Sequence, residues 1–206
     1  MHAMKDGSVR ESGTLELILR LAAPYLAVAV FWCGFSSAWP AILAYHAQIL
    51  LWSRHAIRPR LGAVQGRYLL LAAPAVLAGP FVYWLLPFIA RVPLSGWLAE
   101  HGLPSTGLLL MIPYFGLVHP WLEQAHWAPL RERTPLAHAL FAGYHLLVLG
   151  SLLPWPWLVA VFLALAGTSF GWTLVTRRTG SPAVALASHM AADLGIVAAA
   201  WLAARV

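Results

Sequence analysis

Apolar residues run almost unbroken through about 14–34, 38–53, 68–90, 105–127, 136–153, 155–175 and 182–203. Within these runs they do not alternate with polar residues in the two-residue rhythm of a half-buried strand. At 1.5 Å per residue, a helix needs about 20 apolar residues to cross roughly 30 Å of hydrocarbon, so the runs are sized for crossing. In lipid every backbone amide must be satisfied internally, which leaves helices or closed barrels, and the pattern favours helices. The chain is therefore expected to be all-α, a polytopic membrane protein with about seven transmembrane helices and one transmembrane domain over residues 1–206.

Proline refines the pattern. Pro40, Pro104, Pro135, Pro154 and Pro182 stand near helix starts, where a missing amide costs least. Pro24, Pro74, Pro80, Pro113 and Pro120 fall inside runs and predict kinks. The polar-tinged segment 92–102 is expected to lie in the membrane interface, and no connection is long enough to be a soluble domain.

Composition agrees: 61% of the 206 residues are hydrophobic, 10% are charged and the mean hydropathy is +0.73. The net charge of +6 would suggest nucleic acid in a soluble protein, but here the basic residues flank the apolar runs. With the N-terminus cytoplasmic, Lys5, Arg10, Arg54, Arg58, Arg60, Arg67, Arg131, Arg133, Arg177 and Arg178 fall inside and Arg91 and Arg205 outside. That bias sets the expected orientation. The run behind the N-terminus is followed by further spans, so it reads as a retained helix. A single cysteine, Cys33, excludes an intramolecular disulfide. Tryptophans near run ends, such as Trp52, Trp97, Trp155 and Trp157, read as interfacial anchors. No phosphate-cradling glycine loop is present, and no nucleic-acid partner is expected.

Ionisable side chains inside a span are expensive and usually functional. Charges at helix ends reach water cheaply, and the short list of candidates within the runs is Glu123, His126, His145, His189 and Asp193, all in the C-terminal part of the chain. Phe141 and His145 are four apart and share a helix face, as do His189 and Asp193. An acid, a base and hydrogen-bond donors converging on a water-filled cavity are what peptide hydrolysis needs. Asp193, near mid-membrane, requires a partner, and His189 is the obvious one. His119 and His138 read as packing histidines, and His46 and Gln48 as interhelical glue.

These motifs resemble those of CPBP proteases, the CAAX protease and bacteriocin-processing (Abi) family. That family carries EExxxR, then FxxxH, then a final HxxxN or HxxxD helix led in by an arginine and a Thr-Gly-Ser turn. Here Phe141 to His145 matches the second motif. Arg178-Thr179-Gly180-Ser181-Pro182-Ala183, leading to His189 and Asp193, matches the third. The first is half kept: Glu123 is followed by Gln124, Ala128 takes the arginine position, and Arg131 lies two turns beyond Glu123. The resemblance implies a catalytic core at 104–203 in which Glu123 activates a water, assisted by His145, and His189 and Asp193 shape the oxyanion site. Gln124, His126, Phe141 and Arg131 would support them. An aspartate can donate a hydrogen bond only when it carries a proton; otherwise it would orient His189.

The resemblance further implies an intramembrane endopeptidase of glutamic type with no cofactor. Its substrate would be a membrane-associated peptide: a prenylated tail, a bacteriocin leader, or a C-terminal sorting tag as in myxosortase-like processing. The compact, Arg- and Trp-rich chain suggests a bacterial inner membrane. Three alternatives stay open on the residues themselves. Gln124 and Ala128 would suit a non-catalytic immunity or scaffold protein of the same fold; Glu123, His145 and Asp193 could serve a small proton-coupled transporter. The same nitrogen and oxygen donors could also hold a catalytic metal, although no HExxH motif is present.

Overall fold

The computed structural model describes residues 4–53 and 66–205, with side chains from Gly13 on. Arg54, Arg58 and Arg60, and the side chains of Lys5 and Arg10, which the expected charge bias uses, lie outside the described residues. The helices in chain order are α1 (Met4–Ala27), α2 (Ala38–Ser53), α3 (Gly66–Leu69), α4 (Ala78–Ile89) and α5 (Leu94–Glu100). They continue as α6 (Ser105–Pro113), α7 (His119–Arg133), α8 (Leu136–Leu149), α9 (Trp155–Thr179) and α10 (Ala183–Ala203). No strand occurs among the described residues, so the fold is all-α.

Among the described residues, four stretches are long and apolar enough to cross a bilayer: Gly13–Gly34, Gly66–Ile89, Trp155–Thr179 and Ala183–Ala203. A fifth is added if Leu94–Glu100 and Ser105–Arg133, bent by 82°, count as one span. The expected segment at 92–102 is thus a short helix lying across the one that follows. The described part of α2 has 16 residues and α8 has 14, or about 24 and 21 Å of rise, and α8 is short of a full hydrocarbon core. Leu70, Leu77, Phe88, Trp155 and Leu163 stand on the outside, as side chains facing lipid do.

The expected proline kinks take the form of local changes in helix type. Pro24 cannot donate to the Arg20 carbonyl, α1 widens into a π-helical turn at Val28–Gly34, and His126 Nε2 meets the Arg20 carbonyl at 3.1 Å. Pro74 lies in a 3₁₀ stretch, Leu70–Leu77, and Pro80 opens α4 just behind it. Pro113 and Pro120 flank a π-helical turn at Tyr114–Val118, where the removed amides are absorbed.

α10 is the hub, packing against α4, the 3₁₀ stretch, the second π turn, α6, α7 and α9. Gly180, at φ 68°, closes α9 in a left-handed turn, and Ser181 Oγ accepts the Ala183 amide at 3.2 Å to start α10. Glycine allows the close approach of α4: a Cβ on Gly79 would stand 2.6 Å from the Gly195 carbonyl oxygen. Trp97 corrects the anchor reading. It is buried against Trp32 and His101, with Nε1 donating to Ser151 Oγ at 2.9 Å, because α5 sets it against the π-helical turn that holds Trp32.

Gly79→Ala is expected to cost about 1–3 kcal/mol through overpacking against the α10 backbone. Gly171→Ala meets nothing within 4 Å and serves as the control. Thermal unfolding in detergent should separate the two, with only the first lowering the midpoint.

Candidate active site

α7 buries its polar residues. Glu123, Gln124, His126 and Arg131 are all enclosed, together with Trp127 and Leu130, because α2, α8 and α10 pack around this helix. Glu123 is completely shielded. A buried carboxyl group without hydrogen-bond partners would cost several kcal/mol, so its surroundings decide whether the fold tolerates it.

The two oxygens of Glu123 have different surroundings. Oε1 accepts two phenol hydrogen bonds, from Tyr45 at 2.6 Å and Tyr144 at 2.5 Å. Trp127 Nε1 donates to the Tyr45 hydroxyl at 2.7 Å, so that hydroxyl is itself held in place. Oε2 makes no directed hydrogen bond, although His119 Nε2 stands 3.3 Å away and His189 Nε2 3.5 Å away. One oxygen is clamped; the other is flanked by two imidazole nitrogens that approach off the hydrogen-bond angle.

His189 Nε2 also lies 3.3 Å from Asp193 Oδ2, one turn on along α10. Its ring stacks on Trp172 at 4.5 Å. Its other nitrogen, Nδ1, faces Gln124 Nε2 at 3.3 Å, and Gln124 Oε1 faces Arg131 Nη1 at 3.2 Å. Arginine only donates, so the amide must turn its oxygen to Arg131 and its NH₂ to His189. His189 Nδ1 then accepts, and in the neutral ring the proton sits on Nε2, toward Glu123 and Asp193. A glutamate at position 124 could not donate in this way when ionised.

His145 has the opposite wiring. Nδ1 donates to the Phe141 carbonyl at 2.8 Å, leaving Nε2 of the neutral ring as an acceptor. The ring stacks on Tyr144 at 4.1 Å, and with Tyr45, His119 and Tyr144 it lines one part of a cavity of about 220 Å³. The rest of the lining, including Trp32, Ile42, Leu108, Met111 and Val197, is almost wholly apolar. Phe141 packs edge-on to His145 and beneath the Arg131 guanidinium at 5.3 Å, with Trp172 at 5.5 Å.

Glu123, Gln124, Arg131, Phe141, His145, His189 and Asp193 therefore gather around one centre. His126 does not share in it: its Nε2 contacts the Arg20 carbonyl behind Pro24, a structural use. The packing reading of His119 is corrected, since it stands beside the Glu123 carboxyl, while His46 touches both His119 and Tyr114. His138 contacts Ser169 at 2.9 Å, outside the cluster. Tyr45 and Tyr144 were missed. Their signal was a tyrosine in the middle of an apolar run, whose hydroxyl must find a partner away from water. For His119 it was the i, i+4 spacing to Glu123.

Among the described residues no group of three or more His, Cys, Asp or Glu side chains is arranged to hold a metal ion. Compared with protein-family models, with curated proteins and with solved structures, the chain finds no match.

Gln124→Glu is expected to reverse the wiring of His189, protonating Nδ1 where the wild type protonates Nε2. Nitrogen NMR of ¹⁵N-histidine-labelled protein checks it: an Nδ1 resonance that stays in the unprotonated range after the substitution would contradict the assignment.

Proposed function

We propose that the protein is an intramembrane endopeptidase of glutamic type that cleaves a membrane-associated peptide by direct attack of water. The observation that carries this reading is the division of labour on Glu123. Oε1 is occupied by two phenols, so Oε2 is the oxygen available to take a proton, and it faces nitrogens placed to donate.

In this mechanism a water bound at Oε2 attacks the scissile carbonyl carbon. Glu123 takes the water's proton, the new C–O bond forms, and the carbonyl electrons move onto oxygen. His189 Nε2–H stabilises that oxyanion, with Asp193 Oδ2 beside the same nitrogen at 3.3 Å without a directed hydrogen bond. His145, whose Nε2 accepts, assists the attacking water. Collapse breaks the C–N bond, and the proton on Glu123 passes to the leaving amine. Proton and electron pairs balance without a covalent enzyme intermediate. Gln124 and Arg131 act behind His189 by holding its tautomer, which answers the departure from the family's first motif: an amide can accept from arginine and donate to histidine together.

The apolar cavity beside the carboxyl group suits a substrate presented from the bilayer. In this reading α2 and α8 also cross, giving about seven crossings, with lipid thinning or long flanking side chains bridging the shortfall of α8. The basic residues then orient the N-terminus to the cytoplasm, as in a bacterial inner membrane. Prenylated tails, leader peptides and C-terminal sorting tags are the substrate classes the motif resemblance supports.

The test is purified protein in liposomes with a peptide library of these three classes, products being mapped by mass spectrometry. Glu123→Gln and His189→Ala should each lower turnover by about 10²–10⁴-fold. Cleavage indifferent to both substitutions contradicts the assignment. Binding without cleavage by the wild type selects a scaffold role instead, and loss of cleavage on adding a chelator would call for a metal.

A further inference from the structure

The proposed hydrolysis leaves one donor short. An oxyanion is held best by two or more fixed N–H groups, yet of His189 and Asp193 an ionised aspartate has no proton to offer. His119 stands beside the same oxygen. It lies one turn before Glu123 on α7, buried, with Nε2 3.3 Å from Oε2. Since Oε2 receives no directed hydrogen bond from it, this N–H is not consumed by the carboxyl group.

His119 is joined to a short chain of side chains from two other segments. His119 Nδ1 lies 3.0 Å from His46 Nε2, and His46 Nδ1 lies 2.7 Å from the Tyr114 hydroxyl. The Glu123 carboxyl oxygen beside His119 Nε2 favours a proton on that nitrogen, and with both imidazoles neutral the chain then runs from Tyr114 O–H to His46 Nδ1 and from His46 Nε2–H to His119 Nδ1. The rings are fixed mechanically as well, with Phe115 stacked on His119 at 4.2 Å and His46 on His119 at 5.2 Å. At His189 the corresponding chain begins at donor-only Arg131 and runs through Gln124, which fixes the second Nε2–H.

We propose that His119 is a further catalytic residue, its Nε2–H donating with that of His189 to the oxyanion formed when water adds to the scissile carbonyl. His46 and Tyr114 are positioning residues that keep the proton on that nitrogen. The catalytic half rests on the endopeptidase reading; the wiring half does not.

Two readouts separate them. In ¹⁵N-histidine NMR of the whole protein in nanodiscs, with peaks assigned by loss in His119→Asn and His46→Leu, wild-type His119 should be protonated at Nε2 and bare at Nδ1. His46→Leu should leave His119 a mixture of tautomers, and His46→Gln, whose amide can donate, should restore the single form. With a peptide that the wild type cleaves, His119→Asn should lower kcat by about 10²-fold with KM little changed. His46→Leu should lower kcat by about 10-fold, and His46→Gln should recover most of it, which a merely structural role would not produce. A wild-type His119 protonated at Nδ1, or at both nitrogens, overturns the wiring. A fall in binding with kcat intact overturns the catalytic role. If the wild type cleaves none of the peptides, the endopeptidase reading and the catalytic role fail together, while the nitrogen spectrum still decides the wiring.

Discussion

A carboxyl group with no contact with water, in the middle of a helix bundle, must be compensated or the fold fails. In this protein that group is Glu123, and much of the polar chemistry of the interior is arranged around it. Tyr45 from α2 and Tyr144 from α8 bind one oxygen, His119 from the same helix and His189 from α10 flank the other, and Trp127 fixes one of the phenols. Three helices are thereby tied to α7 at one point. The packing that brings them there depends on small residues: Gly79 and Gly195 let α10 close on α4, and Gly143 leaves room for the Tyr25 hydroxyl to reach the Leu140 carbonyl.

The same constraint fixes protons. A donor-only arginine orients an amide, the amide orients a histidine, and a backbone carbonyl orients another, so two of the imidazoles near one carboxyl group have assigned roles. In their neutral forms His189 presents an N–H group and His145 a lone pair. Such preorganisation is the form that catalytic stabilisation takes in a site shielded from water, because no reorientation is needed when charge develops. Arg131, held over Phe141 and Trp172, anchors one end of this arrangement without an ion pair to a carboxylate.

Much of this was legible in the chain. Long apolar runs specify helices in lipid, and the four stretches that meet the length for crossing coincide with runs read from residue pattern alone. The pattern reads 136–153 as a full span, whereas α8 closes at Leu149, because sequence pattern does not show where backbone ends a helix against its neighbours. Glu123, His145, His189 and Asp193 stood out because ionisable groups are rare in apolar runs. Tyr45, Tyr144 and His119 did not, since an aromatic residue or a histidine in such a run is equally well used for packing, and only the fold shows which of them reach the same oxygen. Gln124 looked like damage to a motif; beside Arg131 and His189 it is the one side chain that satisfies both.

The most direct measurement of the central claim is infrared spectroscopy of the Glu123 carboxyl group in a lipid bilayer, isolated as the difference between ¹³C-glutamate-labelled wild type and Glu123→Gln. One carboxyl band is expected, which shifts when either Tyr45→Phe or Tyr144→Phe removes a hydrogen bond from Oε1 and shifts further when both are removed. A band unmoved by both substitutions would contradict it, because the two phenols would then not be holding the oxygen on which the whole arrangement depends.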